Sequence, residues 1–195
     1  MKKKCFVCAL CFGLLLLLTV SQSAWAAVEV DVDATNFPDP VFRSYVSSNF
    51  DTNSDGSLDV YEINDVTSIV TSASGMTSLQ GIENFTALQY LNFWDGSIES
   101  IDLTWASNLV SLDCVNDGLT KIDFPANSNL QYIKCKDNQL TSLDVSGLTS
   151  LKTIDCQDNT SMKSLKASNC TSLTEIVCRN SALEEIDVQG CISLY

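Results

Sequence analysis

Apolar residues along this chain recur with a fixed period. Large aliphatic side chains stand at Val66, Leu88, Leu109, Leu130, Leu151, Leu173 and Leu194, in steps of 22, 21, 21, 21, 22 and 21 residues. One period reads Leu130-x-x-Ile133-x-Cys135-x-x-Asn138-x-Leu140-x-x-Leu143-x-Val145. Its neighbours follow as Leu109, Leu112, Cys114, Asp117, Leu119, Ile122, Phe124 and as Leu173, Ile176, Cys178, Ser181, Leu183, Ile186, Val188. An extra residue between Asn159 and Met162 accounts for the longer step after Leu151. The two-residue spacing of Ile133 and Cys135 predicts a strand with those side chains inward and Tyr132, Lys134 and Lys136 outward. An Asn or Asp at the following bend can bond backbone groups that the turning chain leaves unpaired.

One such turn cannot bury its own apolar face, so successive turns are expected to stack around a continuous core. Periods of this length and spacing signify leucine-rich repeats. The units are too short for a helix on the far side. Stretches such as Ile101-Asp102-Leu103 and Leu143-Asp144-Val145 predict a second extended segment there instead.

A different pattern precedes the repeats. Asp39-Pro40 suits a helix N-cap and first position, and Val41, Phe42, Tyr45, Val46 and Phe50 follow at helical spacing. The next twelve residues are Asp51-Thr52-Asn53-Ser54-Asp55-Gly56-Ser57-Leu58-Asp59-Val60-Tyr61-Glu62. This is the spacing of an EF-hand loop. Calcium takes six to eight oxygens at roughly 2.3–2.6 Å, and alternate residues of a tight loop present them inward. Asp51, Asn53, Asp55, the Ser57 carbonyl, Asp59 (through water) and Glu62 are the predicted ligands of one structural calcium ion. Gly56 permits the sharp turn and Leu58 anchors the loop. No second loop of this kind follows, so the repeats are expected to brace it.

Residues 1–26 read as a secretory signal: Lys2, Lys3 and Lys4, an apolar run from Cys5 to Val20, then Ala24-Trp25-Ala26 as a cleavage pattern. The predicted organisation is a signal at 1–26, a cap over 27–65, and about six coils over 66–195, the last incomplete. No transmembrane segment is expected after cleavage, and the product is secreted or surface-located. The chain carries 24 acidic and 11 basic residues and no histidine. Loss of the signal's three lysines takes the net charge from −13 to about −16. Such a surface repels phosphate backbones, which argues against nucleic acid as a partner. The missing histidine excludes Ser-His and Cys-His nucleophile pairs and His-ligated zinc.

Six cysteines follow the signal. Cys114, Cys135, Cys156 and Cys178 share one inward position in successive coils, while Cys170 and Cys191 share another. Side chains on in-register strands roughly 4.7–4.9 Å apart point the same way, a poor geometry for bridging. Buried thiols, reduced and inaccessible, are therefore expected.

The outward positions of the strands hold the candidate recognition surface. They include Tyr90, Trp94, Asp113, Tyr132, Lys134, Lys136 and Asp155. Exposed aromatics exceed what solubility requires and are favoured interface anchors; the two lysines form a basic spot able to steer a ligand. Asp113 and Asp155 stand two coils apart, roughly 9–10 Å, which overlaps the carboxylate spacing of an inverting glycosidase. An open face, however, offers no burial to raise a carboxyl pKa.

The chain resembles secreted bacterial leucine-rich-repeat proteins of the internalin-like kind. The resemblance rests on "NFPDPVFRSYV" and "FDTNSDGSLDVYEI" ahead of the L-x-x-L-x-C-x-x-N-x-L units, and it covers nearly all of the chain after the signal. It implies an α/β solenoid: an array of 21–22-residue coils with a parallel β-sheet, capped by a small EF-hand-like helix-loop-helix. It further implies a non-catalytic module binding a protein or glycan ligand on the concave face, with a passive spacer in a longer surface protein as the alternative. Unlike anchored internalins, the sequence carries no wall-sorting signal. It stops at Leu194-Tyr195, which would open another coil, so it reads as a truncated chain.

Overall fold

The computed structural model describes residues 29–126 and 129–195. The predicted signal at 1–26 lies outside them. Chain order begins with β1 (Val30–Asp31), α1 (Pro40–Asn49), β2 (Ser57–Leu58) and α2 (Val60–Asp65). Thereafter the chain winds through β3 (Ser68–Ser72), a 3-10 turn (Ile82–Asn84), β4 (Tyr90–Trp94), β5 (Ser100–Asp102), β6 (Ser111–Val115) and β7 (Lys121–Asp123). It continues through β8 (Tyr132–Lys134), β9 (Ser142–Asp144), β10 (Thr153–Asp155), β11 (Ser164–Lys166), β12 (Glu175–Val177) and β13 (Glu185–Asp187).

The repeat period becomes strand register. β3, β4, β6, β8, β10 and β12 form one parallel sheet in which residues one repeat apart lie side by side, such as Tyr90 beside Ser111 and Thr153 beside Glu175. On the opposite side, β5 pairs with β7, and β9 with β11 and β13, all parallel. The fold is thus a parallel β-solenoid of six coils of about 21 residues. Among the described residues the α-helices belong to the cap, and the coils are extended on both sides, so the α/β description applies to cap plus coils and not to the coils themselves. A 21-residue turn spends its length on two short strands and two bends, leaving too few residues for a helix.

Between the six-stranded sheet and the far-side strands lies the core. Leu88, Leu91 and Phe93 are buried in one coil, Leu109, Leu112 and Cys114 in the next, then Leu130, Ile133 and Cys135, and Leu151, Ile154 and Cys156. Far-side strands add Ile101, Ile122, Leu143 and Leu165. Each large aliphatic so placed contributes roughly 1.5–3 kcal/mol. In the last coil Ile176 and Cys178 are only partly buried and Ile186 is exposed.

The bends after β4, β6, β8, β10 and β12 are built the same way. Asp95, Asn116, Asp137, Asp158 and Asn180 all take the left-handed backbone region, with φ between 54° and 61°. Asp and Asn are the non-glycine side chains that tolerate it best. Just beyond, Asn138 and Asn159 turn into the core. Asn138 Oδ1 accepts from the Asp117 and Leu119 N–H groups at 3.1 and 3.0 Å, while its Nδ2 donates to the Cys114, Cys135 and Lys136 carbonyls. Asn159 repeats this with Leu140 N–H and the Cys135 and Cys156 carbonyls.

The cap shares this core. Phe37 and Phe42 from the cap are fully buried, and Phe37 and Phe50 pack on Phe85 of the first coil with ring centroids 6.3 and 5.1 Å away. At Gly81, φ is +101° and a Cβ would meet the Asn36 carbonyl at 2.4 Å, so only glycine lets the 3-10 turn sit this close to the cap.

Candidate functional site

Two arrangements hold the polar chemistry. The first is the loop between α1 and α2. Asp51 folds over it: Oδ1 accepts from Asp55 N–H at 3.2 Å and Oδ2 from Gly56 N–H at 3.1 Å. Asn53 Oδ1 accepts from Asp55 N–H, and Asp55 Oδ1 accepts from both the N–H and the hydroxyl of Ser57. Pairing of β1 with β2 closes the loop from outside, with Asp31 beside Ser57.

Asp59 caps α2, accepting from the Tyr61 and Glu62 N–H groups, and Glu62 returns the bond by accepting from Asp59 N–H at 3.0 Å. Glu62 Oε1 also accepts from the Thr52 N–H and hydroxyl, both at 2.7 Å. These bonds, the Thr52 hydroxyl foremost, hold the Glu62 carboxyl below its ordinary range, as the Ser57 hydroxyl does for Asp55. Both side chains are therefore anionic at neutral pH.

Calcium suits this donor set in part. Four carboxylates and an amide oxygen stand in one short loop, and among the described residues no Lys or Arg ion-pairs with any of them. Yet no three carboxylate or thiol side chains among the described residues converge on one point as they stand. Both Glu62 oxygens are already engaged, by Thr52 and by Asp59 N–H. Neither Thr52 nor Glu29, which accepts from the Ser57 hydroxyl at 2.8 Å, was legible as a loop partner. Thr52 occupies a position that carries no ligand in the motif.

The second arrangement is the outward face of the six-stranded sheet. Strand register sorts it into rows. Ser68, Tyr90, Ser111, Tyr132, Thr153 and Glu175 lie in the first, and Val70, Asn92, Asp113, Lys134, Asp155 and Val177 in the second. Ser72, Trp94 and Val115 begin the third, which Lys136 extends just past β8. All seven predicted face residues thus share one side of the molecule.

Their chemistry is uneven. Tyr90, Trp94 and Tyr132 are 49, 36 and 43 % exposed, and Val70 joins them at 54 %. Val70 was missed, though counting the same offset from Val66 finds it. Tyr132 also carries Lys152 over its ring at 5.8 Å, a contact of the cation–π kind. Lys134 Nζ lies 3.0 Å from Asp113 Oδ2, and Lys136 3.5 Å from Asp137. Both lysines of the expected basic spot thus have carboxylate partners. The exposed apolar and aromatic residues extend from β3 and β4, nearest the cap, to β8.

The two arrangements adjoin. A cleft of about 480 Å³ is lined by Thr52, Asn53, Asp59 and Glu62 of the loop together with Thr67 and Ser68 at the edge of β3.

Comparison with known proteins accords with this architecture. No protein-family model matches the chain, and no curated protein matches it. Among solved structures, the functional domain of InlJ from Listeria monocytogenes, described as including a cysteine ladder, aligns with a TM-score of 0.57 and 26% identity. The fold is that of an internalin-like leucine-rich-repeat solenoid. The alignment covers 86% of this chain and 42% of that one, so this chain spans less than half the InlJ domain's length. An internalin (InlF) from L. monocytogenes strain 4b F2365 also aligns, over 85% of this chain and 73% of its own, at 17% identity and a TM-score of 0.38. A ladder of cysteines is present here too: Cys114, Cys135 and Cys156 are stacked, buried and unbridged, and Cys178 follows them, partly exposed. Among the described residues no helix is long and apolar enough to cross a membrane.

Proposed function

We propose that this chain is an exported, non-catalytic binding module that takes a protein or glycan ligand on the outward face of its six-stranded sheet. The observation that carries the reading is the exposure of Val70 on β3, Tyr90 and Trp94 on β4 and Tyr132 on β8, all on one face of the sheet. Large side chains with few rotatable bonds give contact area at low entropic cost, and they gain little by facing water. The likeness to an internalin domain supports a surface role.

A hydrolytic use of Asp113 and Asp155 fits less well. The Lys134 ammonium lies between them in the row and is bound to Asp113 at 3.0 Å, where a substrate or water would have to enter. Pull-down and a glycan array with the mature protein test the binding reading. A saturable ligand in either supports it, and none in both opposes it.

In the same reading the loop takes one calcium ion. Asp51, Asn53, Asp55, the Ser57 carbonyl, Asp59 and Glu62 would hold it, with calcium competing against Thr52 for Glu62. The ion supplies charge neutralisation and rigidity beside the edge of the binding sheet.

A further inference from the structure

Asp117 is an anomaly in the ladder of bend residues. It sits where the next two coils place Asn138 and Asn159, and like Asn159 it is completely buried. Its Oδ1 accepts from Gly96 N–H at 2.9 Å, matching the bond that Asn138 Oδ1 accepts from Asp117 N–H one coil on. The other half of the side chain does not match. Each asparagine Nδ2 donates to the carbonyl three residues back and to its counterpart one coil earlier. For Asp117 those groups are the carbonyls of Cys114 and Phe93. A carboxylate oxygen cannot donate to them, and Asp117 Oδ2 is the one buried side-chain oxygen or nitrogen without a hydrogen-bond partner among the described residues.

We propose that Asp117 is a proton-dependent clamp between coils. As a neutral acid it donates from Oδ2 to the ladder carbonyls, as its asparagine counterparts do from Nδ2. As a carboxylate it places an unpaired charge against those carbonyls and loosens the join between the coil bearing Trp94 and the coil bearing Val115.

The groups facing it all favour the proton. Asp95 lies on the bend after β4, Asp113 on β6, and the Cys114 thiol is buried beside it; Lys134 already serves Asp113. Burial first, then Asp95 and Asp113, raise the Asp117 carboxyl from 3.8 to about 6 against the opposing pull of Gly96 N–H. Because the folded value lies above the unfolded one, the native state holds a proton that the unfolded chain releases. The contribution to stability is complete below about pH 4 and is lost as pH rises through about 6.

The test is thermal unfolding of wild type and Asp117→Asn at fixed calcium from pH 4 to 8. Reading the difference between the two proteins cancels the other carboxylates. The variant is expected to melt higher than wild type by about 4 °C or more at pH 8, with the gap narrowing below pH 6 and smallest at pH 4. A gap of zero at pH 8, or one that does not change with pH, overturns the proposal. Should the variant not fold, the carboxyl carbon of Asp117 followed by NMR in the wild type decides instead. A midpoint well above the ordinary carboxyl range supports the clamp, and an ordinary midpoint overturns it.

Discussion

Asp39 and Thr77, 38 residues apart, join the cap to the first coil: Asp39 Oδ2 accepts from the Thr77 N–H at 2.8 Å and from its hydroxyl at 3.0 Å. The same carboxylate's Oδ1 caps α1 through the Val41 and Phe42 N–H groups. Burial opposes ionisation there, but these four donors outweigh it and hold the carboxyl below its ordinary value. Asp39→Ala removes a cap and two charge-assisted bonds together, so a loss of about 2–4 kcal/mol is expected in denaturant unfolding. Since the folded pKa is lowered, the wild-type advantage is present above about pH 4 and fades as pH falls through the folded value. An advantage that persists undiminished into acid would contradict this.

What the sequence disclosed, and what it withheld, divides along physical lines. Period and alternation gave coil length, strand register and inward residues, because burial of a repeated apolar set leaves no other arrangement. Asn138 was legible for the same reason. The partners of Asp39 and Glu62 were not, since Thr77 and Thr52 reach them through geometry that no spacing rule encodes. Lys134 read as half of a basic spot, with balance against Asp113 and Asp155 as the alternative; register places it directly between those two, and Asp113 takes it. Asp117 read as an ordinary bend residue; only the buried, unpartnered oxygen separates it from Asn138.

Asn138 should be the least replaceable polar side chain in the solenoid. Its five hydrogen bonds span two coils and lie almost wholly out of solvent. Asn138→Ala leaves two amides and three carbonyls without it, for an expected loss of about 3 kcal/mol or more. Chemical denaturation measures this, and a loss under about 1 kcal/mol would show that water replaces the amide.

The thiols should sort by burial. Desolvation pushes Cys156 up to about 12 and raises Cys114 and Cys135 as well, so none forms a thiolate at neutral pH. Native protein treated with a thiol reagent should leave those three unmodified while Cys178 and Cys191, partly exposed, react. Peptide mapping after labelling reads the outcome. Equal labelling of all five, or masses lowered by pairs of hydrogens in unreduced protein, would count against a stacked column of free thiols.

Calcium should raise the melting temperature of the wild type progressively, because an ion binding only the folded loop stabilises it by mass action. Glu62→Gln loses one anionic ligand and should lose the response. Isothermal titration of both proteins provides the heat. Absence of heat and of stabilisation at millimolar calcium would leave the loop as a hydrogen-bonded turn.

The claim that the sheet face binds the ligand is tested most directly by Trp94→Ala combined with Tyr132→Ala. Both side chains are more than one third exposed, so their removal should leave the melting temperature nearly unchanged. Dissociation constants for wild type and double variant, measured against whichever ligand the pull-down or array returns, are expected to differ by at least tenfold, about 1.4 kcal/mol. Binding by the folded double variant at wild-type strength would contradict the account and move the site elsewhere on the solenoid.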